Sequence, residues 1–461
     1  MPSTIPETSM PQRAQRLIEA ARKVPVPEGT YAVGLGLLIS GITAYGFQIL
    51  AFKGLTKSEY AALNGLWILV FVVAPGFFLP LEQEVGRAVA DRRSRALGGG
   101  PVVKKAARAG ALLAGALMGL SIVGAFAFDL TERLFHGQEV LLVCFVIALG
   151  TYAVQHITRG TLSGNGRFGP YGMILGAEGV FRILPVIVVY AAGVDSLVWY
   201  GLALAIPPLL ASVVAVRGEK GLLAPGPDAE WSELSTNLTL LFLGSLAAQA
   251  LSYAAALGVL VLAQGKAERD AAADFIVGFF LARIPILLFQ AIQAALLPKL
   301  AALSGAGKHA DFRSGLKKLI MIVVGVGVLG IVGGATIGPT IGQILFGDKF
   351  NLGRQDLTLL FAGSAAFILA LTLAQALIAL LGHARALIAW AVGLVLCVGV
   401  MALGSSATIS DLFLRVELGY LAGCLGAATM MMIFLLTSLR SQGPDSLSLL
   451  VEAIEHEPLE I

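Results

Sequence analysis

Charge is what this chain has least of. Asp, Glu, Lys and Arg make up 13% of its 461 residues, against about 25% in a soluble domain. That scarcity excludes an ordinary water-soluble globule. Cysteine is nearly absent: Cys144, Cys397 and Cys424 each fall inside an apolar run. They are too few and scattered for a disulfide framework and read as packing thiols. Histidine is equally sparse. His136, His156, His309, His383 and His456 share no metal-ligand spacing, so neither a metal nor a cofactor is expected. No Gly-Lys-Ser/Thr closes a glycine-rich stretch, which excludes a nucleotide-binding loop of that type. An acidic pair on an outer loop and a nucleophile–base set are also missing, so the chain reads as a non-enzyme with no catalytic residues. A net charge of +3 gives no reason to expect nucleic acid as a partner. Residues 1–30 lack the apolar core of a signal peptide, being interrupted by Pro2, Pro6, Pro11, Pro25 and Pro27. They are expected as a flexible cytoplasmic tail, with a short basic helix around Arg13–Lys23 resting on membrane lipids.

What remains is apolar: such residues supply 57% of the chain. About 20 of them in succession cross the hydrocarbon of a bilayer. The sequence divides into 12 such runs: 31–52, 61–81, 109–128, 139–157, 171–192, 197–216, 237–263, 275–298, 318–346, 357–381, 386–405 and 416–438. The expected fold class is an all-α integral membrane protein of about 12 transmembrane helices. Most of the 32 Lys and Arg fall on one set of alternate loops and tails. The densest loop follows the second run, with Arg87, Arg92, Arg93, Arg95, Lys104, Lys105 and Arg108; the loop after the eighth run comes next. Positive residues stay cytoplasmic during insertion, so both termini are expected in the cytoplasm.

The halves look related. Tyr60 corresponds to Phe275, Lys104-Lys105 to Lys317-Lys318, Leu134-Phe135 to Leu345-Phe346, and Gly164–Arg167 to Gly382–Arg385, in order and at a nearly constant offset. The expected organisation is a bundle over 31–216, a cytoplasmic linker over 217–236 around Pro225-Gly226-Pro227, a second bundle over 237–438 and an acidic cytoplasmic tail over 439–461. Two parallel six-helix halves leave a cleft that rocking opens to each side in turn, which points to a transporter.

Ionisable residues in an apolar run cost about 2.5–3.5 kcal/mol each on insertion scales and need a partner or a watery cavity. Arg283 in the eighth run is a candidate cavity cation; the alternative is an interfacial Arg that snorkels outward or neutralises Asp274. Glu178 and Arg182, four apart in the fifth run, can pair on one helix face or form an ion-coupling site. Glu82, Glu84 and Arg87 follow Pro80 at the inner end of the second run, placed to gate a cleft or bind a coupling cation, or simply solvated at the membrane surface. Gln48, Gln249, Gln290, Gln293 and Gln375 are amides in apolar runs, suited to sugar hydroxyls or to bonding between helices. The glycine-rich stretch Arg159–Arg167 reads as a tight turn that can present two cations to a phosphate.

Two segments carry a family resemblance: Ala282-Arg283-Ile284-Pro285 through Leu300, and Pro80-Leu81-Glu82-Gln83-Glu84-Val85-Gly86-Arg87. They resemble polysaccharide flippases of the multidrug/oligosaccharidyl-lipid/polysaccharide (MOP) exporter superfamily, particularly actinobacterial forms. The resemblance implies a V-shaped pair of six-helix bundles in the bacterial cytoplasmic membrane. It implies a polyprenyl-phosphate-linked glycan as cargo, envelope glycan-assembly proteins as possible partners, and Arg283 as a cavity cation. A rival stretch, Gly86–Arg93, looks like the loop motif of major facilitator transporters, with the Gly-to-Asp gap one residue too long. Small-solute export and a non-transporting scaffold for envelope enzymes therefore stay open.

Overall fold

The computed structural model describes residues 29–234, 238–263, 265–286, 289, 309–380, 382–404 and 408–441. Among these the chain is helical, with no strand. α1 (Thr30–Gly54) leads to α2 (Lys57–Ser94), which starts on a capping box: Glu59 N–H donates to Thr56 Oγ1 and Thr56 N–H donates to Glu59 Oε2, satisfying donors at the helix start. α3 (Gly100–Ala127), the short α4 (Leu130–Phe135), α5 (Glu139–Gly164) and α6 (Phe168–Ala191) follow. The sixth run is split by Pro207 and Pro208 into α7 (Leu197–Ala205) and α8 (Pro207–Val216).

Later come α9 (Leu238–Ser252), α10 (Ala254–Leu262), α11 (Lys266–Ala282), α12 (His309–Thr336), α13 (Gly338–Phe346), α14 (Arg354–Ala379), α15 (His383–Leu403) and α16 (Ile409–Ser441). Ten helices among the described residues are long and apolar enough to cross a bilayer, eleven if the bent pair α9–α10 is one span. The protein is a multi-pass membrane protein. The second part of the eighth run lies outside the described residues.

Small residues bring the helices together, as bundles in lipid require. α1 packs along α6 and α2 along α5. A Cβ on Gly172 would strike the Ala32 carbonyl, and one on Gly179 the Thr43 hydroxyl. Gly160 and Gly164 of α5 sit against the Glu82 and Gly86 carbonyls and against Val85 and Val89 of α2. Most of the expected 159–167 turn is therefore the last turns of α5, its glycines serving close packing.

In the second part of the chain, α14 and α15 pack on α16, and α9 on α15. α2 joins the two parts, contacting α9, α10 and α11. The Leu134-Phe135 and Leu345-Phe346 pairs occupy corresponding places, each closing a short helix with a buried Phe.

Three sequence boundaries change. The second run does not end at residue 81: α2 continues through Pro75 and Pro80 to Ser94, so Glu82, Glu84 and Arg87 lie on a helix. The seventh run is bent by 65° between α9 and α10, and the ninth is broken at Ile337. The linker is also no free tether. Arg92, 3% exposed, donates to both Glu233 carboxylate oxygens at 2.6 and 2.8 Å and to the Pro227 carbonyl at 2.8 Å. Gly100 N–H donates to the Ala224 carbonyl, and Ala229 and Leu234 join an apolar cluster with Leu81, Val85 and Val89. The strap thus belongs to the first bundle's surface. We call its end of the molecule the linker side and the opposite end the far side.

Candidate functional site

The site is built on a helix break. The bend at Tyr253 leaves the Ser252 carbonyl outside the regular ladder, and an orphaned carbonyl needs a donor. Arg283 supplies it: its guanidinium donates to Ser252 O at 2.6 Å and lies over the Tyr253 ring at 4.3 Å and the Phe279 ring at 5.2 Å. Arg283 itself caps α11. With 1.5 Å rise per residue, it sits about 12 Å past the start of the apolar run at Phe275, and its guanidinium turns inward to Ser252 instead of outward to the far surface. Asp274 is not its partner: that carboxylate accepts from Lys57 at 2.6 Å. Broken helices that meet near the bilayer midplane are where transporters place binding sites.

A cavity of about 240 Å³ opens beside Arg283, lined also by Tyr45, Gln48, Trp67, Phe71, Arg182 and Tyr253. Arg182 pairs with Glu178 on the next turn of α6 and lies over Trp67 at 5.4 Å. Glu178 is held in addition by Tyr152 Oη at 3.0 Å and Gln155 Nε2 at 2.9 Å. The expected pair therefore forms, and it points its cation into the same cavity as Arg283. Gln48 reaches the cavity edge but is committed to the protein: it donates to Asn64 at 3.1 Å and accepts from Tyr60 at 2.9 Å. No Asp or Glu lines the cavity among the described residues.

Glu82, Glu84 and Arg87 do not line it. Glu82 is buried towards the linker side, where it accepts from His156 Nδ1 at 2.7 Å and Tyr171 Oη at 2.8 Å and lies 3.2 Å from Arg159. Glu84 pairs with Arg87 at 2.9 Å, and Arg87 donates to the Glu233 carbonyl at 2.6 Å, clasping the strap. Gln249 lines a different cavity, on the linker side. Gln290 and Gln293 lie outside the described residues, as do residues 1–28 and 442–461 of the two terminal tails.

Sequence reasoning missed His156 and Tyr171, and it read Arg159 as a cation for a phosphate where the structure places it beside Glu82. Their signal was the spacing Tyr152, Gln155, His156, Arg159, which puts polar groups on successive turns of one face of α5. It also missed Glu417 on α16, fully buried, with neither carboxyl oxygen hydrogen-bonded among the described residues.

No protein-family model matches the chain. Two curated relatives, the uncharacterized proteins Rv3630 and Rv1510 of Mycobacterium tuberculosis, are each 25% identical. They match over 77% of this chain and 81% of the relative, and over 80% and 84%, respectively. Among solved structures, an inward-facing multidrug resistance MATE family transporter of the MOP superfamily aligns with a TM-score of 0.71 at 15% identity, covering 92% of this chain and 98% of that one. A mutant of the Vibrio cholerae MATE transporter VcmN gives 0.65 at 17% identity over 90% and 97%. An outward-facing MATE structure gives 0.59 at 17% identity over 90% and 96%. The chain has the fold of a multi-pass membrane transporter. More narrowly, that fold is the one of MATE transporters in the MOP superfamily.

Proposed function

We propose that the protein moves a polyprenyl-phosphate-linked oligosaccharide or polysaccharide precursor from the inner to the outer leaflet of a bacterial cytoplasmic membrane. The mechanism is alternating access, with the linker side cytoplasmic and a cation gradient as drive. One observation carries the reading: Arg283 and Arg182 share a cavity whose described lining holds no carboxylate. A phosphate cannot cross bare hydrocarbon at acceptable cost, and a guanidinium offers it forked, charge-assisted donors. Arg283 is the stronger candidate, because Glu178 already neutralises Arg182. The prenyl tail stays in lipid while the headgroup crosses between the halves. The buried Glu82 and Glu178 clusters are the proposed coupling and gating groups. Envelope glycan-assembly proteins are proposed partners.

A second reading, export of a small solute, is favoured by the fold shared with multidrug transporters. The cavity charge argues against a cationic solute, which would meet two arginines. The test is binding of a polyprenyl phosphate to purified wild type and Arg283→Ala. Strong binding lost in the folded variant supports the flippase. Binding unaffected by the variant removes Arg283 from the site, and no binding by wild type favours the solute exporter.

A further inference from the structure

On the linker side, α2, α9, α14 and α15 enclose a second cavity of about 190 Å³. Three primary amides from three helices converge on it: Gln83, Gln249 and Gln375. Each carries two N–H donors and a carbonyl acceptor. None is hydrogen-bonded to the protein among the described residues, nor left orphaned without exposure. Other amides in the helices behave differently: Gln48 is tied to Asn64 and Tyr60, and Gln155 to Glu178. The three free amides thus keep their full bonding capacity for something in the cavity.

The lining also says what that something is. It contains no Asp, Glu, Lys or Arg among the described residues, His383 being its one ionisable side chain. A cation or an anion finds no counter-charge here. The buried ring of Trp390, itself packed on Phe367 at 5.7 Å between centroids, adds an apolar wall. Neutral donors and acceptors beside an indole suit a neutral polyhydroxylated ring, with hydroxyls on the amides and C–H faces on the aromatic wall. The cavity's place fits as well. Tyr253 N–H donates to the Gln249 carbonyl at 3.2 Å. Gln249 is thus one turn, about 6 Å of helix rise, from the residue that stacks on Arg283.

We propose that the cavity of Gln83, Gln249, Gln375 and Trp390 is a carbohydrate subsite that selects a glycosylated lipid phosphate over the bare one. This rests on the reading that Arg283 holds the phosphate. A pocket built to bond hydroxyls rejects a ligand that lacks them, because its own polar groups are then left unpaired.

The experiment compares two probes on the purified full chain: a polyprenyl phosphate, and the same lipid bearing one hexose on the phosphate. Wild type should bind the glycosylated lipid at least tenfold more tightly. The double variant Gln249→Leu with Gln375→Leu should lose that preference while binding the bare lipid as before, which also shows that it is folded. Gln83→Leu, at an exposed position, should lower the preference at least threefold on its own. A wild type that binds both lipids equally overturns the subsite and leaves the phosphate reading standing, as do variants that keep the full preference. A wild type that binds neither lipid overturns both.

Discussion

Arg283 shows how much one side chain does in this protein. It satisfies the carbonyl freed by the bend at Tyr253, stacks on two rings and presents its remaining donors to the cavity. Lysine keeps the charge but loses the planar fork and the stacking. Arg283→Lys is therefore expected to weaken polyprenyl-phosphate binding about tenfold, as for one lost charge-assisted bond, and Arg283→Ala to weaken it further. Glu178 serves a different purpose. Removing it strands Arg182 as a buried unpaired cation, so Glu178→Ala should cost about 3–5 kcal/mol, read as a large fall in Tm. Glu417 has no bonded partner to lose among the described residues. An amide of the same shape resembles the neutral acid that such a site favours, so Glu417→Gln should leave Tm nearly unchanged; a marked fall would reveal a partner for the carboxyl group. Arg283 was legible in the sequence because it is a lone charge in an apolar run. The Glu82–His156–Arg159–Tyr171 cluster was not, because each member sits near the end of a run, where polar residues are ordinary. Only the packing of α5 against α2 and α6 shows that they meet.

At the scale of elements, the sequence read helix existence well and helix endings poorly. The second run seemed to stop at residue 81 because charge begins at Glu82. The helix goes on because those charges are paired inside the protein: Glu82 with His156 and Arg159, Arg92 with Glu233. The bend at Tyr253 left no trace, since hydropathy does not change when an apolar helix turns, whereas the break at Ile337 is marked by Gly338-Pro339 at the start of the next helix. The clasp on the 217–236 stretch could not be seen in the sequence, because its partners are spread over Arg87–Gly100 rather than adjacent to it. Its clasp gives a prediction with a definite sign. The Arg92 guanidinium bonded to Glu233 holds that carboxyl down to about 2, below its ordinary 4.5. A depressed carboxyl stabilises the folded strap above pH 4.5 and loses that contribution as pH falls towards 2. The protection factors of amides over residues 228–234, exchange rates corrected for the intrinsic pH dependence, should therefore stay high at pH 5–7 and fall below pH 4.5. In Glu233→Gln the protection should be low at every pH; protection in that variant equal to wild type would show that the clasp does not hold the strap.

The whole molecule is joined at both ends by different means. On the far side, Lys57 pairs with Asp274 and Arg269 with Glu132 at 3.0 Å, while Phe52 meets Phe346. Towards the linker side, Ser245 donates to the Pro75 carbonyl, and Phe77 lies near Phe242. Alternating access requires the far-side contacts to part. Lys57→Cys with Asp274→Cys, joined by a short bifunctional thiol reagent, should abolish transport, and cleaving the linker should restore it. The cavity cation and the membrane-spanning all-helical character could be read from charge and hydropathy. The two-cavity division could not, because it depends on which faces of distant helices converge.

The most direct measurement is the leaflet distribution of a glycosylated polyprenyl phosphate in proteoliposomes holding the purified protein, with a cation gradient imposed. The account predicts rapid movement of the lipid to the opposite leaflet by wild type and none by Arg283→Ala of equal fold and amount. Transfer no faster than in protein-free vesicles would contradict it, as would Arg283→Ala moving the lipid as fast as wild type.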